Sequence, residues 1–167
     1  MHRQPLEHPG RLDNPGQISI LMTYTLLLLH GAATLAMVGL IWFVQVVHYP
    51  LFASVGHQHF TEYEWLHQAR TAQVVGPLML TEALTATLLL LVDLTPTGRN
   101  LTWLGMALLL VIWLSTVFLQ VPLHRQLAAG FDSRSAARLV SSNWLRTIAW
   151  TLRGIVALLL LLLGGPG

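Results

Sequence analysis

The segment that decides the fold is residues 71–92, TAQVVGPLMLTEALTATLLLLV. It is apolar enough to cross a bilayer, because about 20 apolar residues span the hydrocarbon core as a helix. It nevertheless carries Gly76-Pro77 in its first third and a carboxyl group, Glu82, near its middle. An ionisable group at membrane depth is costly and normally faces other protein groups. We therefore expect Glu82 to point into the protein and to have a partner there.

The composition of the whole chain is typical of a protein that faces lipid. Of its 167 residues, 54% are hydrophobic and 10% are charged, whereas about a quarter of the residues in soluble domains are charged. All nine basic residues are arginine, and they form no basic run. We therefore expect no nucleic-acid binding. The chain has no cysteine, which excludes disulfides and thiolate metal sites.

The distribution of apolar residues predicts an all-α fold. We expect a polytopic membrane four-helix bundle with proline-kinked helices and short polar connections, in contact with the lipid bilayer. A flexible polar tail is predicted at residues 1–17, followed by the membrane domain at 18–163. The predicted spans are residues 18–47, 71–92, 101–121 and 144–163.

Two local patterns predict where helices begin. Thr61, followed three residues later by Glu64, has the spacing of a capping box. It indicates a helix that starts there and continues into the second span. Asp132 or Ser133 is expected to cap a separate short polar helix, residues 133–140, before the fourth span.

The arginines predict the orientation in the membrane. Four spans place both termini on one side, which carries Arg3, Arg11 and Arg99. The opposite side carries Arg70, Arg125, Arg134, Arg138 and Arg146. Cytoplasmic loops carry the excess of Arg and Lys. We therefore expect a multi-pass protein of the cell inner membrane with both termini on the non-cytoplasmic side.

Polar residues collect where the odd-numbered spans end and the even-numbered spans begin, which is one face of the membrane. The residues in these positions are Gln45, His48, His67, Gln120, His124, Asn143 and Arg146. Pro50, Pro77 and Pro122 each free a backbone carbonyl in an α-helix, and such groups persist at membrane depth only against protein or water. The sequence therefore predicts a polar, hydrated recess at that face.

The helical rise of about 1.5 Å per residue places candidate partners near Glu82. Arg146 enters the fourth span, and Arg153 lies about two turns further along it. We expect Glu82 to pair with Arg153 or Arg146 inside the bundle, or else to be protonated.

The histidines also have plainer interpretations. Taken singly, each is typical of an interfacial anchor. Glu64-x-x-His67 has the spacing of a di-metal helix, but that design needs a second such motif and two more glutamates. We therefore expect no metal. A haem held between His48 and His124 is an alternative, so the cofactor remains unknown.

Four motifs resemble those of a largely uncharacterised family of small four-helix bacterial integral membrane proteins. They are His48-Tyr-Pro-Leu-Phe52, Gly76-Pro-Leu-Met-Leu-Thr-Glu82, Gln120-Val-Pro-Leu-His124 and Asn143-Trp-Leu-Arg-Thr147. In that family a histidine is expected where this chain has Glu64, which weighs against a metal site on that turn.

The chain is more distantly similar to anthrone-oxygenase-like membrane proteins. That resemblance implies oxygenation of a phenolic polycyclic substrate without a firmly assigned metal. The residues that it would carry over are His48, Asn143 and Arg146.

These observations favour a redox-type enzyme or cofactor binder that acts on a quinone-like or aromatic hydrophobic molecule. The candidate catalytic residues are His48, His124, Asn143 and Arg146, and the candidate cofactor-binding residues are Gln45, His67, Glu82, Gln120 and Arg153. The alternative is a non-catalytic accessory subunit of a larger membrane complex. For partners, both a homo-oligomer and a membrane-complex subunit are left open. A proton path through Glu82 is a third hypothesis.

Overall fold

A computed structural model describes residues 14–167. In this part of the chain the structure consists of four helical rods, with one isolated β-bridge between Leu94 and Pro166. Rod 1 comprises α1 (Pro15–Phe43), a π-helical turn (Val44–His48) and a 3₁₀ turn (Pro50–Ser54). Rod 2 is α2 (Phe60–Leu89), and rod 4 is α5 (Ser133–Leu163). Rod 3 comprises α3 (Pro96–Ser115), a π-helical turn (Thr116–Gln120) and α4 (Val121–Ala128).

Each rod is long and apolar enough to cross a membrane. Large apolar side chains cover the outside of the bundle; Leu91 is 80% exposed, Leu162 78% and Phe118 68%. Such a surface would favour association in water, whereas a bilayer solvates it. The predicted all-α membrane four-helix bundle is confirmed.

Rod 4 is the central packing element, because α5 packs against α1, α3 and α4. The larger apolar core includes Phe52, Phe60, Ile112 and Trp150. This core surrounds the rod ends at which the predicted recess lies.

Rod 1 begins earlier than the sequence predicted. Asn14 is the N-cap, and its side-chain oxygen accepts a hydrogen bond from Gly16 N–H at 3.1 Å. Pro15 occupies the first helical position, where its missing N–H has no cost. Residues 15–17 are therefore helical, and residues 1–13 of the predicted tail lie outside the described residues.

The predicted capping box at Thr61 and Glu64 is wrong. Helix α2 begins at Phe60 with His59 as its N-cap, and no side chain caps it. The Glu64 carboxylate instead accepts a hydrogen bond from His124, on another rod. A charge-assisted bond to a buried imidazole is stronger than a bond to a solvated backbone amide.

The short polar helix predicted before the fourth span is continuous with it. Asp132 is the N-cap, as expected, and accepts a hydrogen bond from Ser135 N–H at 2.8 Å. Hydrogen bonds from Ser135 lower the pKa of the Asp132 carboxyl below its ordinary value. From Ser133 the helix runs for 31 residues to Leu163, without a proline and with Gly154 as its single glycine. The prediction of two separate elements is therefore wrong.

Two of the three prolines follow a π-helical turn. Tyr49 N–H, just before Pro50, donates to Val44 C=O at 3.0 Å, and Val121 N–H, just before Pro122, donates to Thr116 C=O. Pro77 instead lies inside an uninterrupted α2. Rods 1 and 3 therefore depart from α-helical geometry at the same face of the bundle. Such turns are frequent at functional sites.

Candidate functional site

The broken end of rod 1, the first turns of α2 and helix α4 bring together a group that we call the histidine cluster. Its members are His48, Tyr49, Glu64, His67 and His124. Glu64 is fully buried and Tyr49 is 4% exposed. The side chain of His124 is 13% exposed. Three of the residues predicted for the site, His48, His67 and His124, therefore meet.

One half of the cluster is a chain of hydrogen bonds from a phenol to a carboxylate. Tyr49 Oη lies 2.9 Å from His124 Nε2, and His124 Nδ1 lies 2.5 Å from Glu64 Oε1. An ionised Glu64 is an acceptor, so His124 Nδ1 donates to it and a neutral His124 accepts from the Tyr49 hydroxyl. The chain of hydrogen bonds therefore runs from Tyr49 through His124 to Glu64, and the imidazole of His124 is positioned to accept the Tyr49 hydroxyl proton.

The other half of the cluster is a pair of imidazoles. His48 Nε2 and His67 Nδ1 share a hydrogen bond at 2.8 Å. The Thr71 hydroxyl lies 3.1 Å from the same nitrogen of His67. His67 and His124 lie with ring centroids 5.5 Å apart, so the two halves are in contact.

Arg146 joins the cluster from rod 4. Its Nη2 donates to Tyr49 Oη at 3.3 Å, and its Nε donates to Asn143 Oδ1 at 2.9 Å. The residue is 7% exposed, and within residues 14–167 no carboxylate is in ion-pair contact with it. A buried cation without an anionic neighbour is an expensive arrangement, and it favours an electron-rich ligand atom beside it.

Asn143 and Gln45 position that guanidinium. Asn143 Nδ2 donates to Gln45 Oε1 at 2.8 Å, and Gln45 Nε2 donates to Val140 C=O at 3.2 Å. The carbonyl oxygen of Asn143 is therefore directed at Arg146, and both amides are almost fully buried. Asn143 and Gln45 therefore lie next to the site, as the sequence predicted. The hydrogen bonds of their side chains are made with protein groups.

Two cavities adjoin the cluster. The first, of about 370 Å³, has a mostly apolar lining surface, and its polar wall is formed by Tyr49, His67, Gln68, Thr71, Thr116, Gln120, His124, Arg125 and Arg146. The second, of about 420 Å³, lies between rod 1 and α2, and His48 is part of its lining. His67 lines both of them. We call the first one the polar-walled cavity.

Glu82 and Arg153 form a separate buried site deeper in the bundle. Arg153 Nε donates to Glu82 Oε1 at 3.1 Å, so Arg153 is the partner among the two arginines that the sequence offered. Trp150 Nε1 donates to Glu82 Oε2 at 3.0 Å, and Arg153 Nη1 donates to Gly105 C=O. Neither Glu82 nor Arg153 lines the two cavities beside the histidine cluster.

Sequence reasoning assigned no chemical role to Tyr49 or Glu64. The signal for Glu64 was its spacing of three residues from His67, which places both on one face of α2. Tyr49 gave no such signal, because its position depends on the π-helical turn that precedes it.

Comparisons with protein-family models, with curated proteins and with solved structures find no match for this chain. The resemblance described above therefore remains a prediction.

Proposed function

We propose that this protein is a membrane oxidoreductase that binds a quinone-like or aromatic hydrophobic molecule in the polar-walled cavity. The observation that carries the proposal is Arg146, a buried cation with no carboxylate in contact among the described residues, at the wall of an apolar cavity. A ligand with an apolar ring body and an anionic or carbonyl oxygen matches both features.

The size of the cavity supports a ligand of this kind. Pockets for small molecules enclose about 300–1,000 Å³ and are mostly apolar, with a few polar groups that fix the orientation. The polar-walled cavity has about 370 Å³, and the buried Trp150 forms part of its apolar lining. This is room for two or three fused rings, with their oxygen atoms toward Arg146.

The polar wall could exchange a proton with such a ligand. In this mechanism the ligand hydroxyl gives its proton to Tyr49 as the Tyr49 hydroxyl proton passes to His124, which Glu64 orients. Proton transfer through positioned groups contributes about 10²–10⁴-fold in rate. Arg146 stabilises the ligand oxyanion that remains, and Asn143 is a positioning residue for Arg146.

The distant resemblance to anthrone-oxygenase-like proteins supports the same assignment and names an oxidant. The oxygenation that it implies converts a ring CH₂ and dioxygen to a ring carbonyl and water. Removal of a proton from the substrate is the step that Tyr49, His124 and Arg146 would assist.

Binding of defined probes to the purified protein tests the proposal. A short-chain benzoquinone and an anthrone are titrated against protein in detergent, with dissociation constants taken from quenching of tryptophan fluorescence. We expect Arg146→Met to weaken binding at least tenfold, because the ligand oxygen loses its charged donor. Arg138→Met, at an exposed arginine of the same helix, is the matched control and should bind like the wild type.

The same experiment separates the proposal from the accessory-subunit alternative. A protein that carries no extractable quinone or aromatic compound and binds neither probe contradicts the oxidoreductase assignment. Co-purification with a partner, unaffected by His48→Ala and His124→Ala, would then favour an accessory subunit.

A further inference from the structure

Glu64, His67 and His124 place three metal-binding donors in one small volume. One donor atom from each residue lies within 4.8 Å of the other two. Donor atoms about 2.1 Å from a tetrahedral ion lie about 3.4 Å apart. Small side-chain rotations would therefore bring the three to bonding distance. His48 Nε2, 2.8 Å from His67 Nδ1, is a fourth nitrogen at the edge of this group.

The second carboxylate oxygen of Glu64 gives independent evidence for a ligand. Glu64 is fully buried, and its Oε2 has no hydrogen-bond partner among the described residues. A buried carboxylate oxygen without a partner is strongly destabilising. In this part of the chain no arginine is in ion-pair contact with Glu64. The one ionisable side chain that pairs with Glu64 here is His124. A cation bound between the two would satisfy both groups.

Each candidate ligand is already held by a second residue, and for His67 this residue is His48, whose Nε2 lies 2.8 Å from His67 Nδ1. Metal-binding histidines usually use their other ring nitrogen in a hydrogen bond that fixes their orientation. His124 has Tyr49 at Nε2, which leaves Nδ1 directed toward Glu64. Gln68 Nε2 donates to Glu64 Oε1 at 3.1 Å. This support is what distinguishes a built site from a chance cluster.

We propose that Glu64, His67 and His124 bind one divalent transition-metal ion. Two imidazoles and one carboxylate suit first-row metals, and this set with open positions is the one used by non-haem Fe(II) sites. His67 and His124 line the polar-walled cavity, so the ion would be bound beside that space. The requirement for two Glu-x-x-His motifs applies to a di-metal site, and a single ion needs only one.

The site goes beyond the proposed function, which requires no metal. An ion bound at His124 Nδ1 replaces the proton that this nitrogen shares with Glu64. His124 Nε2–H then donates to Tyr49 Oη, and the Tyr49 hydroxyl hydrogen is directed away from His124. His124 therefore cannot accept the Tyr49 proton while the ion is bound, and the proton transfer of the proposed function belongs to the metal-free protein.

Cobalt binding to the chelator-treated protein tests the site directly. The protein is prepared in detergent on a tag without histidine, and Co²⁺ is followed by its visible d–d absorption and by elemental analysis. We expect one specific ion per chain in the wild type. Glu64→Gln, which keeps the side-chain shape but loses the charge, and His67→Ala should each weaken Co²⁺ binding at least tenfold.

Matched controls separate this site from other histidines and carboxylates. Glu62→Gln and His57→Ala change exposed residues near the cluster and should leave Co²⁺ binding unchanged. Because a bound ion stabilises the folded state, Co²⁺ should raise the melting temperature of the wild type but not that of Glu64→Gln.

Two results would overturn the inference. One is the absence of stoichiometric Co²⁺ binding by the wild type, and the other is unchanged binding in both Glu64→Gln and His67→Ala. Probe binding by the metal-free wild type is measured in parallel. Its loss would count against the proposed function, while the outcome with Co²⁺ would stand by itself.

Discussion

Glu82 is fully buried at membrane depth, and each of its two oxygens has its own donor. Arg153 Nε donates to Oε1 and Trp150 Nε1 donates to Oε2. All three residues lie at most 1% exposed. Ionisable groups in a membrane usually pair with one another or with backbone carbonyls, and this pair links α2 to α5. It is the main polar contact between these two helices at that depth.

A double-mutant cycle on this pair has a clear expected result. Glu82→Leu and Arg153→Met should each lower the free energy of unfolding by about 3–5 kcal/mol, because each leaves one buried charge uncompensated. The double variant should lose much less than the sum. Denaturation in mixed detergent micelles measures all three. Additive losses below about 1 kcal/mol each would show that the pair has no coupling.

At the scale of elements, the start of α3 and the end of α5 approach closely. A Cβ atom added to Gly98 would lie 2.8 Å from the Cα and the carbonyl oxygen of Gly164. Nearby, the Thr95 hydroxyl donates to Leu163 C=O at 3.0 Å. Glycine allows this backbone contact, as small residues do at other membrane helix interfaces.

Two alanine substitutions distinguish this contact from helix propensity. Gly98→Ala should lower the free energy of unfolding by about 1–3 kcal/mol, because backbone atoms cannot move aside. Gly39→Ala, in the interior of α1 with no atom within 4 Å of the added Cβ, should instead be neutral or stabilise by up to about 1 kcal/mol. Thermal unfolding in detergent compares them, and a stable Gly98→Ala variant would contradict the close approach.

At the scale of the described molecule, the histidine cluster and the cavity beside it lie at one end of the bundle. That end contains the π-helical turns of rods 1 and 3, the histidine cluster and the polar-walled cavity. A multi-pass protein with this asymmetry exposes its site to one side of the membrane. From the distribution of arginines we propose that this side is the cytoplasm, with both termini on the non-cytoplasmic side of the inner membrane.

Cysteine labelling tests the orientation without background, because the chain has no cysteine of its own. Gln58→Cys lies beside the histidine cluster, and Thr97→Cys lies at the opposite end; both positions are exposed. In right-side-out vesicles a membrane-impermeant maleimide should label Thr97→Cys at once and Gln58→Cys only after permeabilisation. The reverse pattern would place the cavity on the outer side.

The amino-acid sequence alone determined the class and the polar face of this protein. Several apolar runs long enough to cross a bilayer indicate a membrane protein, and because each span crosses the membrane, successive spans end at alternating faces. The level shared by His48, His67, His124 and Arg146 and the need of Glu82 for a partner therefore followed without coordinates. The sequence predicted the capping box and the break before residue 144 wrongly. A hydrogen bond from another rod engages Glu64 instead of the capping box, and the helix continues through the predicted break.

Only the tertiary structure decided which polar groups touch. Arg146 and Arg153 were equivalent partners for Glu82 in the sequence, and side-chain direction around α5 assigned Arg153 to it. The same side-chain direction left Arg146 with Tyr49, and the packing of α4 against α2 brought His124 to Glu64. Contacts between rods depend on how each helix is rotated about its own axis, and one π-helical turn changes that rotation. A linear pattern of residues does not contain this angle.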